Sequence, residues 1–300
     1  MSKSVLNISK DILKLFRDGN EVPLNNISYK FTKTEKLVFL AYSSKIIKFN
    51  NDELGITTVI NNTEIAKLCN LTVATVVTAR KSLEKTGLIK VKNIDKFKHQ
   101  VIIVGYENLH LTKDEGGSGY VKIGFNMFKE LCKLTANELR IAFDLILSID
   151  SNKGNKFNGT DSLTRNYSFI KKYLPSYVDC KKKVKEILKK LDGLFDLTFK
   201  EDNIQAKEIQ TYNVENYLAC VSKGNRKFIK KILKNTNINF DRKDLSDLVQ
   251  MSIEYGCKSI SNALMYIFLN TISIKETLGG LVRTLIKSAS FNGLNTLNVN

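Results

Sequence analysis

Polar and cationic side chains that could contact another molecule collect on one predicted helix. In that helix Val76, Ala79 and Leu83 recur at three- and four-residue steps, which predicts one buried stripe. Small, hydroxyl-bearing or cationic side chains occupy the other faces: Val73, Ala74, Thr75, Thr78 and Lys81. Such a helix fits a DNA major groove ~12 Å wide, where hydroxyl and ammonium groups reach base edges and a small apolar group meets a thymine methyl. The pattern therefore favours contact with double-stranded DNA.

Two groups of lysines could hold phosphate groups as point charges. The first group lies on a predicted hairpin that follows the helix: Lys90, Lys92, Lys96 and Lys98. The second lies on a later predicted helix: Lys181, Lys182, Lys183 and Lys185. A run of lysines is usually a solvated helix face, but this later helix takes the position that a helix-turn-helix presents to DNA. Because lysines alone recognise no sequence, we expect phosphate contacts from both groups and base recognition from the first helix.

Side chains for catalysis or metal binding are sparse. The two histidines, His99 and His110, lie on different predicted segments, so they do not form the His-x-His pair of a rolling-circle nickase. We expect His99, on the predicted hairpin, to be solvated, with a phosphate contact as the alternative. The glycine-rich run at 116–119 lacks the lysine of a phosphate-binding loop. We therefore expect no enzymatic activity, no metal and no cofactor.

The elements that would position these side chains form a winged helix-turn-helix over residues 28–112. A capping box at Thr32 and Glu35 opens the first helix, and Gly87 is expected to end the last one in the left-handed conformation. In order, the predicted elements are a helix (33–46), a short strand (57–60), a helix (64–69), a turn at Asn70-Leu71, the helix capped by Thr72, and two wing strands (88–92 and 97–105).

The segment from Thr72 to Ile89 resembles the recognition-helix signature of GntR-like winged-helix proteins. The matching runs are TVATVVTA, which begins at Thr72, and LEKTGLI, which begins at Leu83. In that family a Ser/Thr cap, a Thr-Val pair, an alanine and a Leu-Glu-x-x-Gly-Leu-Ile run recur. Arg80 departs from the pattern, since it stands where the family has an aliphatic residue. The resemblance implies a winged-helix fold that binds DNA through this helix; a module that docks another protein is the alternative.

The same order of elements recurs over residues 120–212, which predicts a second winged helix produced by internal duplication. A second capping box, Thr135 with Glu138, opens its first helix, and a hairpin over 195–210 takes the wing position. The glycine-rich segment 113–119 is the predicted linker between the two units. The remaining predicted segments of the second unit are two helices (168–174 and 178–191) and a loop in place of a strand (151–166).

Both ends of the chain carry helical patterns. Residues 4–16, within an N-terminal segment 1–27, are expected to form a helix that packs on its own domain or meets a second subunit, as in a homodimer. A helical domain is predicted over 213–290, with helices at 226–233, 243–255, 259–269 and 275–289, followed by a disordered tail at 291–300. Residues 254–289 are faintly similar to DnaD-like helical domains, which implies contact with host replication proteins; a generic helical or oligomerisation module is the alternative.

The composition favours a DNA-binding protein of mainly helical (α+β) architecture. The chain has 47 Lys and Arg against 30 Asp and Glu, a net charge of +17, which favours a polyanionic partner. No apolar run approaches the ~20 residues that span a bilayer, and the first residues lack a secretory signal, so we expect a cytoplasmic protein without membrane contact. The five cysteines form no C-x-x-C pair, and most are expected to be small core residues.

Two tandem winged helices followed by a helical domain resemble the winged-helix replication initiators of plasmids. That family binds repeated origin sequences as monomers and often represses as dimers, so the resemblance implies a plasmid replication initiator. A transcriptional regulator or a conjugation accessory protein with the same DNA contacts is the first alternative. The second alternative is a protein-interaction scaffold with an incidental basic surface.

Overall fold

The computed structural model describes most of the chain. The described residues are 5–18, 22–24, 27–46, 55–106, 108, 111, 115, 117–153, 162–209, 212, 214–270, 272, 274 and 277–291. Over these residues the chain is mainly helical, with small antiparallel sheets of two or three strands. Two units of helices with β-hairpin wings are followed by a four-helix region, which confirms the predicted fold class.

The N-terminal segment forms strand β1 (Val5–Ser9) and helix α1 (Lys10–Arg17). The prediction of one continuous helix here is therefore wrong in its first half. Leu6 and Ile8 are buried and alternate with more exposed neighbours, which is the period of a strand and not of a helix. The hydroxyl of Ser9 then caps α1 by accepting from a backbone N–H of its first turn at 3.2 Å.

The first unit has the element order of a winged helix. Its elements are β2 (Val22–Leu24), β3 (Ile27–Tyr29), α2 (Lys33–Ser43), β4 (Ile60–Asn61), α3 (Asn62–Cys69), α4 (Val73–Lys85), β5 (Ile89–Asn93) and β6 (Lys98–Ile103). The strand order β4-β6-β5 makes β5 and β6 the wing hairpin. The predicted capping box is confirmed, because Thr32 accepts from Glu35 N at 3.3 Å and Glu35 accepts from Thr32 N at 2.7 Å.

The second unit repeats this order. Its elements are β7 (Tyr120–Gly124), α5 (Phe125–Leu131), α6 (Ala136–Lys153), β8 (Ser162–Asn166), α7 (Tyr167–Lys171), α8 (Lys181–Lys189), β9 (Phe195–Phe199) and β10 (Asn203–Glu208). Its strand order, β8-β10-β9, matches that of the first unit.

The second unit keeps the strand that the sequence analysis replaced with a loop. β8 pairs with β10, and Leu163 lies opposite Ala206 on the buried face. Leu163 is the one fully apolar residue of this strand, which otherwise consists of Ser, Thr, Arg and Asn, so its pattern resembles a polar loop. The rest of the predicted loop, residues 154–161, lies outside the described residues.

Strand pairing and a salt bridge join the two units. β1 pairs antiparallel with β7, from Val5 opposite Gly124 to Ser9 opposite Tyr120. α1 packs beside α6, where Arg17 Nη1 lies 3.3 Å from a carboxylate oxygen of the fully buried Asp144. Buried apolar side chains from both units form one continuous core. The N-terminal helix therefore packs within its own chain and fixes the two units relative to each other.

Buried polar groups close this joint. Lys36 of α2 donates to the backbone oxygen of Phe16 at the end of α1, and burial lowers the pKa of the Lys36 ammonium to about 7. The thiol of Cys132, after α5, donates to Leu68 O of α3 at 3.8 Å. A hydrogen bond with Cys132, together with burial, raises the pKa of the Cys69 thiol. Elements of both units therefore meet in a desolvated interface.

The cysteine prediction is wrong for most of the cysteines. Cys69 and Cys132 are buried, whereas Cys180 and Cys220 are exposed and Cys257 is half-buried. The two exposed cysteines lie at the start of α8 and on a solvent-facing turn of a long helix, where neighbouring residues are also exposed. All five are free thiols.

Four helices with their own core follow the second unit. They are α9 (Val214–Asn235), α10 (Arg242–Tyr255), α11 (Cys257–Leu269) and α12 (Leu278–Phe291). α10 ends at Gly256, with a φ of 80° that favours glycine. The core of this region includes six apolar residues of α10, α11 and α12: Val249, Ile260, Ala263, Leu264, Ile267 and Ile286. The predicted tail beyond α12 and much of the predicted linker lie outside the described residues.

Candidate nucleic-acid interface

A tight turn sets the angle between α3 and α4. α3 ends at Asn70, whose φ of 54° is a left-handed conformation that asparagine tolerates. The Leu71 N–H donates to Ala66 O at 2.9 Å, and Thr72 caps α4 by accepting from Thr75 N at 3.2 Å. The predicted helix-turn-helix is therefore present, with its turn at the predicted residues.

α4 buries one stripe and exposes the opposite one. Val76, Ala79 and Leu83 are buried, as predicted, and α4 packs on α2 and α3. Val73, at the first turn, is 43% exposed. An exposed row runs along the outer face at steps of four, three and four residues: Ala74, Thr78, Lys81 and Lys85. The sequence analysis did not include Lys85, although its spacing from Lys81 places both on one face.

Two threonine hydroxyls of α4 are held locally. Thr78 Oγ1 donates to Ala74 O at 3.1 Å, which leaves its lone pairs and its methyl group on the exposed face. Thr75 is half-buried, and its hydroxyl oxygen lies 2.8 Å from that of Thr72. Thr78 is therefore better placed than Thr75 to contact a base, because Thr75 takes part in the helix cap.

Arg80 lies between α4 and α3. Its side chain is half-buried, and its Nη1 donates to Asn62 Oδ1 at 3.4 Å. Burial lowers the pKa of His99 and the positive charge of Arg80 adds to that effect, whereas burial raises the pKa of Tyr42 and Arg80 partly opposes it. The position that is aliphatic in GntR-like proteins therefore has polar neighbours in this chain.

Three wing lysines share one face of the β5–β6 hairpin. In the antiparallel register Lys92 is opposite Gln100 and Lys90 is opposite Ile102. Lys98 precedes Gln100 by two residues, so it lies on the same face of the hairpin. All three lysines are exposed, while the opposite face contributes Ile89, Val101 and Ile103 to the core. The wing therefore presents its positive charges in one direction.

The wing tip adds a fourth lysine beside an exposed aromatic ring. Asp95 closes the turn by accepting from the backbone N–H groups of Phe97 and Lys98, both at 2.7 Å, and these bonds lower the pKa of its carboxyl. Phe97 is 71% exposed, and Lys96 Nζ lies 5.6 Å from the centre of its ring. All four predicted wing lysines are therefore open to solvent.

His99 is buried beneath the wing, so neither alternative given for it from the sequence is right. Its side chain is 1% exposed, because residue 99 falls on the inner face of β6, between Lys98 and Gln100. The ring lies edge-on to Tyr42, with centroids 6.4 Å apart. Burial, reinforced by Arg80, lowers the pKa of His99 to about 4, so the imidazole is neutral near pH 7.

The second unit has a long connector where the first has a tight turn. α7 and α8 are both shorter than the predicted helices over 168–174 and 178–191, and residues 172–180 connect them. Pro175 lies in this connector and disfavours a helical conformation at the residue before it. α8 begins after Cys180, which makes no side-chain hydrogen bond to the helix. The predicted helices included Leu174 and Val178, whose apolar side chains are buried within the connector.

Two of the four predicted α8 lysines form ion pairs within the second unit. Lys181 Nζ lies 3.0 Å from an oxygen of Asp202, at the tip of the second wing. Lys183 Nζ lies 2.9 Å from Asp179, and the pKa of that ammonium is raised by the carboxylate. The charges of these two lysines are therefore largely balanced on the protein surface.

The other two α8 lysines differ from each other in their surroundings. Lys185 is half-buried, and its Nζ stands 5.0 Å from the centre of the Tyr167 ring, a cation–π contact. Lys182 is exposed and has no acidic partner among the residues that the structure describes. Lys182 is therefore the member of the predicted set most available to a phosphate.

A metal site requires a group of ligating side chains, and a membrane crossing requires a long apolar helix. In the described parts of the chain, no three His, Cys, Asp or Glu side chains are grouped so as to hold a metal ion. None of the described helices combines the length and the apolar character that a bilayer crossing requires.

Comparisons with known proteins add no family. A comparison with protein-family models finds no match to this chain, and a comparison with curated proteins finds none either. The resemblances to GntR-like proteins, to DnaD-like domains and to plasmid initiators therefore stay predictions.

Proposed function

We propose that this chain is a sequence-specific protein that binds double-stranded DNA, with α4 of the first unit in the major groove. The observation that supports this most is the exposed row on α4: Ala74, Thr78, Lys81 and Lys85. Short side chains at the start of the row allow the helix backbone to approach the bases, and the lysines extend toward base edges or phosphates.

The wing supports the same orientation. Lys90, Lys92 and Lys98 project from one face of the hairpin, and Lys96 lies at its tip. A hairpin that follows the groove-binding helix is placed to contact the flanking backbone, where each lysine neutralises a phosphate and releases a counterion. Base recognition and phosphate binding are thus assigned to different elements of one unit.

The second unit would hold an adjacent groove with fewer phosphate contacts. Lys182 is the most available of its four predicted α8 lysines, while Lys181 and Lys183 form local ion pairs. Because β1–β7 pairing and a continuous core fix the two units to each other, their contacts on DNA would have one constant spacing. A bipartite site follows from this geometry.

The biological role that we propose is replication initiation on a plasmid in the cytoplasm. Its support is the resemblance of tandem winged helices followed by a helical domain to plasmid initiators. In this proposal the helical domain recruits host replication proteins or self-associates.

The DNA-binding proposal is tested by selecting duplexes from a random pool with the full-length chain at ~0.15 M salt. We expect enrichment of one short sequence in two parts. A protein that contacts 6 to 10 phosphates should also lose about 10³ to 10⁵ in affinity between 50 and 200 mM salt. A chain that retains no duplex at physiological salt would instead be an interaction scaffold.

Substitutions on α4 test base recognition. We expect Thr78→Ala, or Lys81→Ala, to cost roughly 1 to 3 kcal/mol in binding of the selected sequence and to relax the preference for it. Lys122→Ala, at an exposed lysine on β7, is a matched control that should bind like the parent. Equal losses on selected and random duplexes would show that α4 contacts phosphates alone.

The role in replication needs a separate test in cells. Deleting the gene from a minimal replicon should abolish plasmid maintenance, and the selected sequence should recur near the origin. A replicon that is maintained without the gene, with the selected sequence in a promoter or a transfer origin, would assign the chain to regulation or conjugation.

A further inference from the structure

A long helix connects the winged-helix units to the C-terminal helices. α9 has 22 residues, and it contacts β7 of the second unit as well as α10 and α11. Near its end Ile229 and Leu233 are fully buried in the C-terminal core. The opposite face of this half of α9 is therefore directed to solvent.

That exposed face is a stripe of lysines. The stripe consists of Lys223, Lys227, Lys230, Lys231 and Lys234, all of which are exposed. At 3.6 residues per turn these positions fall within an arc of about 100°, and at 1.5 Å per residue the stripe is roughly 17 Å long. Four of them line one shallow surface depression of about 310 Å³, together with Asn235. The positive charges thus form one continuous surface.

The lysine stripe lies on a helix whose sequence contains few acidic residues. Glu215 is the one acidic residue in the sequence of α9, and it lies two turns before the first lysine of the stripe. Among the described residues, none of the five stripe lysines forms an ion pair with Asp or Glu. Two of the α8 lysines, Lys181 and Lys183, have such partners by contrast. Clustered like charges without counterions raise the free energy of the isolated protein, and a polyanion would relieve this repulsion.

We propose that the lysine stripe of α9 binds the phosphate backbone of duplex DNA outside the segment that the two winged-helix units occupy. This inference rests on the proposed DNA-binding function. Duplex DNA carries one phosphate per ~3.4 Å of axis on each strand, so a stripe of roughly 17 Å faces about five phosphates per strand. An anionic membrane fits less well, because Ile229 and Leu233 of α9 are buried in the core and Phe228, 46% exposed, is the one large apolar side chain that the described part of α9 offers for insertion.

The test replaces four stripe lysines with glutamine, which removes the charge and keeps a good helix former. The variant carries Lys227→Gln, Lys230→Gln, Lys231→Gln and Lys234→Gln. Binding is measured against salt on two duplexes, one with only the selected bipartite sequence and one with ~20 base pairs, about two helical turns, of random flank on each side. On the flanked duplex we expect the slope of log K against log salt to fall by about three to four, and the affinity to fall roughly tenfold or more.

A matched control removes the same charge from scattered positions. It carries Lys30→Gln, Lys122→Gln, Lys243→Gln and Lys258→Gln, all at exposed lysines on separate segments. This control should lose much less slope, because its lysines do not act together. Equal losses in the two variants would assign the effect to net charge and overturn the proposal, and circular dichroism checks that both variants keep their helices.

The outcomes separate this proposal from the DNA-binding function as a whole. If the α4 substitutions reduce sequence preference while the stripe variant binds the flanked duplex like the parent, the stripe proposal fails and the function stands. If the slope of log K against log salt falls in the stripe variant while the α4 substitutions leave sequence preference unchanged, the stripe proposal stands and recognition by α4 fails. The stripe variant could also bind DNA like the parent and fail to bind an acidic protein or inorganic triphosphate that the parent binds. That result would assign the stripe to that partner and overturn the DNA proposal.

Discussion

The two wings have the same topology, but their outward residues differ in charge. Their strand registers align Lys90 and Lys92 of the first wing with Asp196 and Thr198 of the second. The first residue of the returning strand is Lys98 in one wing and a half-buried asparagine in the other. The inner faces of both hairpins remain apolar or buried. The repeated fold is therefore maintained by its inward residues, while the outward residues differ between the two units.

The helix-turn-helix segments of the two units also differ in surface charge. In the first unit a short turn at Asn70 places the exposed row of α4 beside a basic wing. In the second unit a long connector contributes Asp179, and the wing tip contributes Asp202, so both acids pair with lysines of α8. Under the proposed DNA-binding function, this difference would assign base recognition to the first unit and additional phosphate contacts to the second.

The largest expected effect is on stability, from removing the buried carboxylate of Asp144 at the contact between α1 and α6. Asp144→Ala should destabilise the folded chain by about 3 kcal/mol, because it removes the buried carboxylate 3.3 Å from Arg17 and leaves that arginine with only the more exposed Asp18 as an acidic partner among the described residues. Since the two units share one core, we expect them to unfold together in a single transition during chemical denaturation.

Asp192→Ala, at an exposed aspartate after α8, is the matched control and should change stability by less than ~0.5 kcal/mol. Two separate transitions in the Asp144 variant, one for each unit, would show that the units are independent domains that happen to touch.

The buried histidine of the first wing gives the next largest expected effect, and it depends on pH. The second wing has Ile204 at the same register position, so His99→Ile exchanges one unit's residue for the other's. The pKa of His99 is about 4 in the folded chain against 6.5 when exposed, so below pH 6.5 the unfolded chain binds a proton that the folded chain does not. The loss of folding stability caused by His99 is therefore absent above pH 6.5 and grows to about 3 kcal/mol near pH 4.

The measurement is the free energy of unfolding of both proteins from pH 7.5 to pH 4. The His99→Ile variant should lose about 3 kcal/mol less than the parent over that range, since carboxylate titrations are common to both. If the free energy of unfolding changed with pH by the same amount in both proteins, His99 would be protonated in the folded chain and therefore open to solvent.

Sequence patterns predicted those parts of the fold in which several apolar residues repeat with one period. Val76, Ala79 and Leu83 were enough to orient α4, because a helix that buries one stripe must expose the other. β8 was missed because Leu163 alone marks its buried face. The burial of His99 depends on a register that only the folded hairpin fixes.

The candidate site was less predictable than the fold for a related reason. A run of lysines shows charge but not the acids that fold against it. Asp202 pairs with Lys181 from the tip of the second wing, a contact between residues 21 positions apart in the chain. The i, i+3, i+4, i+7 spacing of the lysine stripe of α9 is visible in the sequence. The finding that no described Asp or Glu pairs with these lysines required the folded chain.

Exchanging charges between the wings tests whether their difference matters for DNA. The double variant Lys90→Asp and Lys92→Thr gives the first wing the second wing's residues. It should lower the slope of log K against log salt by about two, because two phosphate contacts are lost. The reverse exchange, Asp196→Lys with Thr198→Lys, is the matched control.

If the second wing also lies along DNA, the reverse exchange should raise the slope by up to about two. A loss in the first exchange with no gain in the second would place only the first wing on DNA. No change in either exchange would contradict the assignment of phosphate contacts to the wings.

The smallest expected effect separates lysines within α8. Lys182→Ala should reduce the salt slope by about one and weaken binding of selected and random duplexes alike, because an exposed lysine contributes one phosphate contact. Lys183→Ala removes an ammonium that Asp179 already balances, so its effect on the slope should be less than half as large. Both changes are measured by titration on one random duplex at several salt concentrations. A larger loss at Lys183 than at Lys182 would mean that DNA displaces Asp179, so that the second unit changes its surface on binding and is less different from the first than its free form indicates.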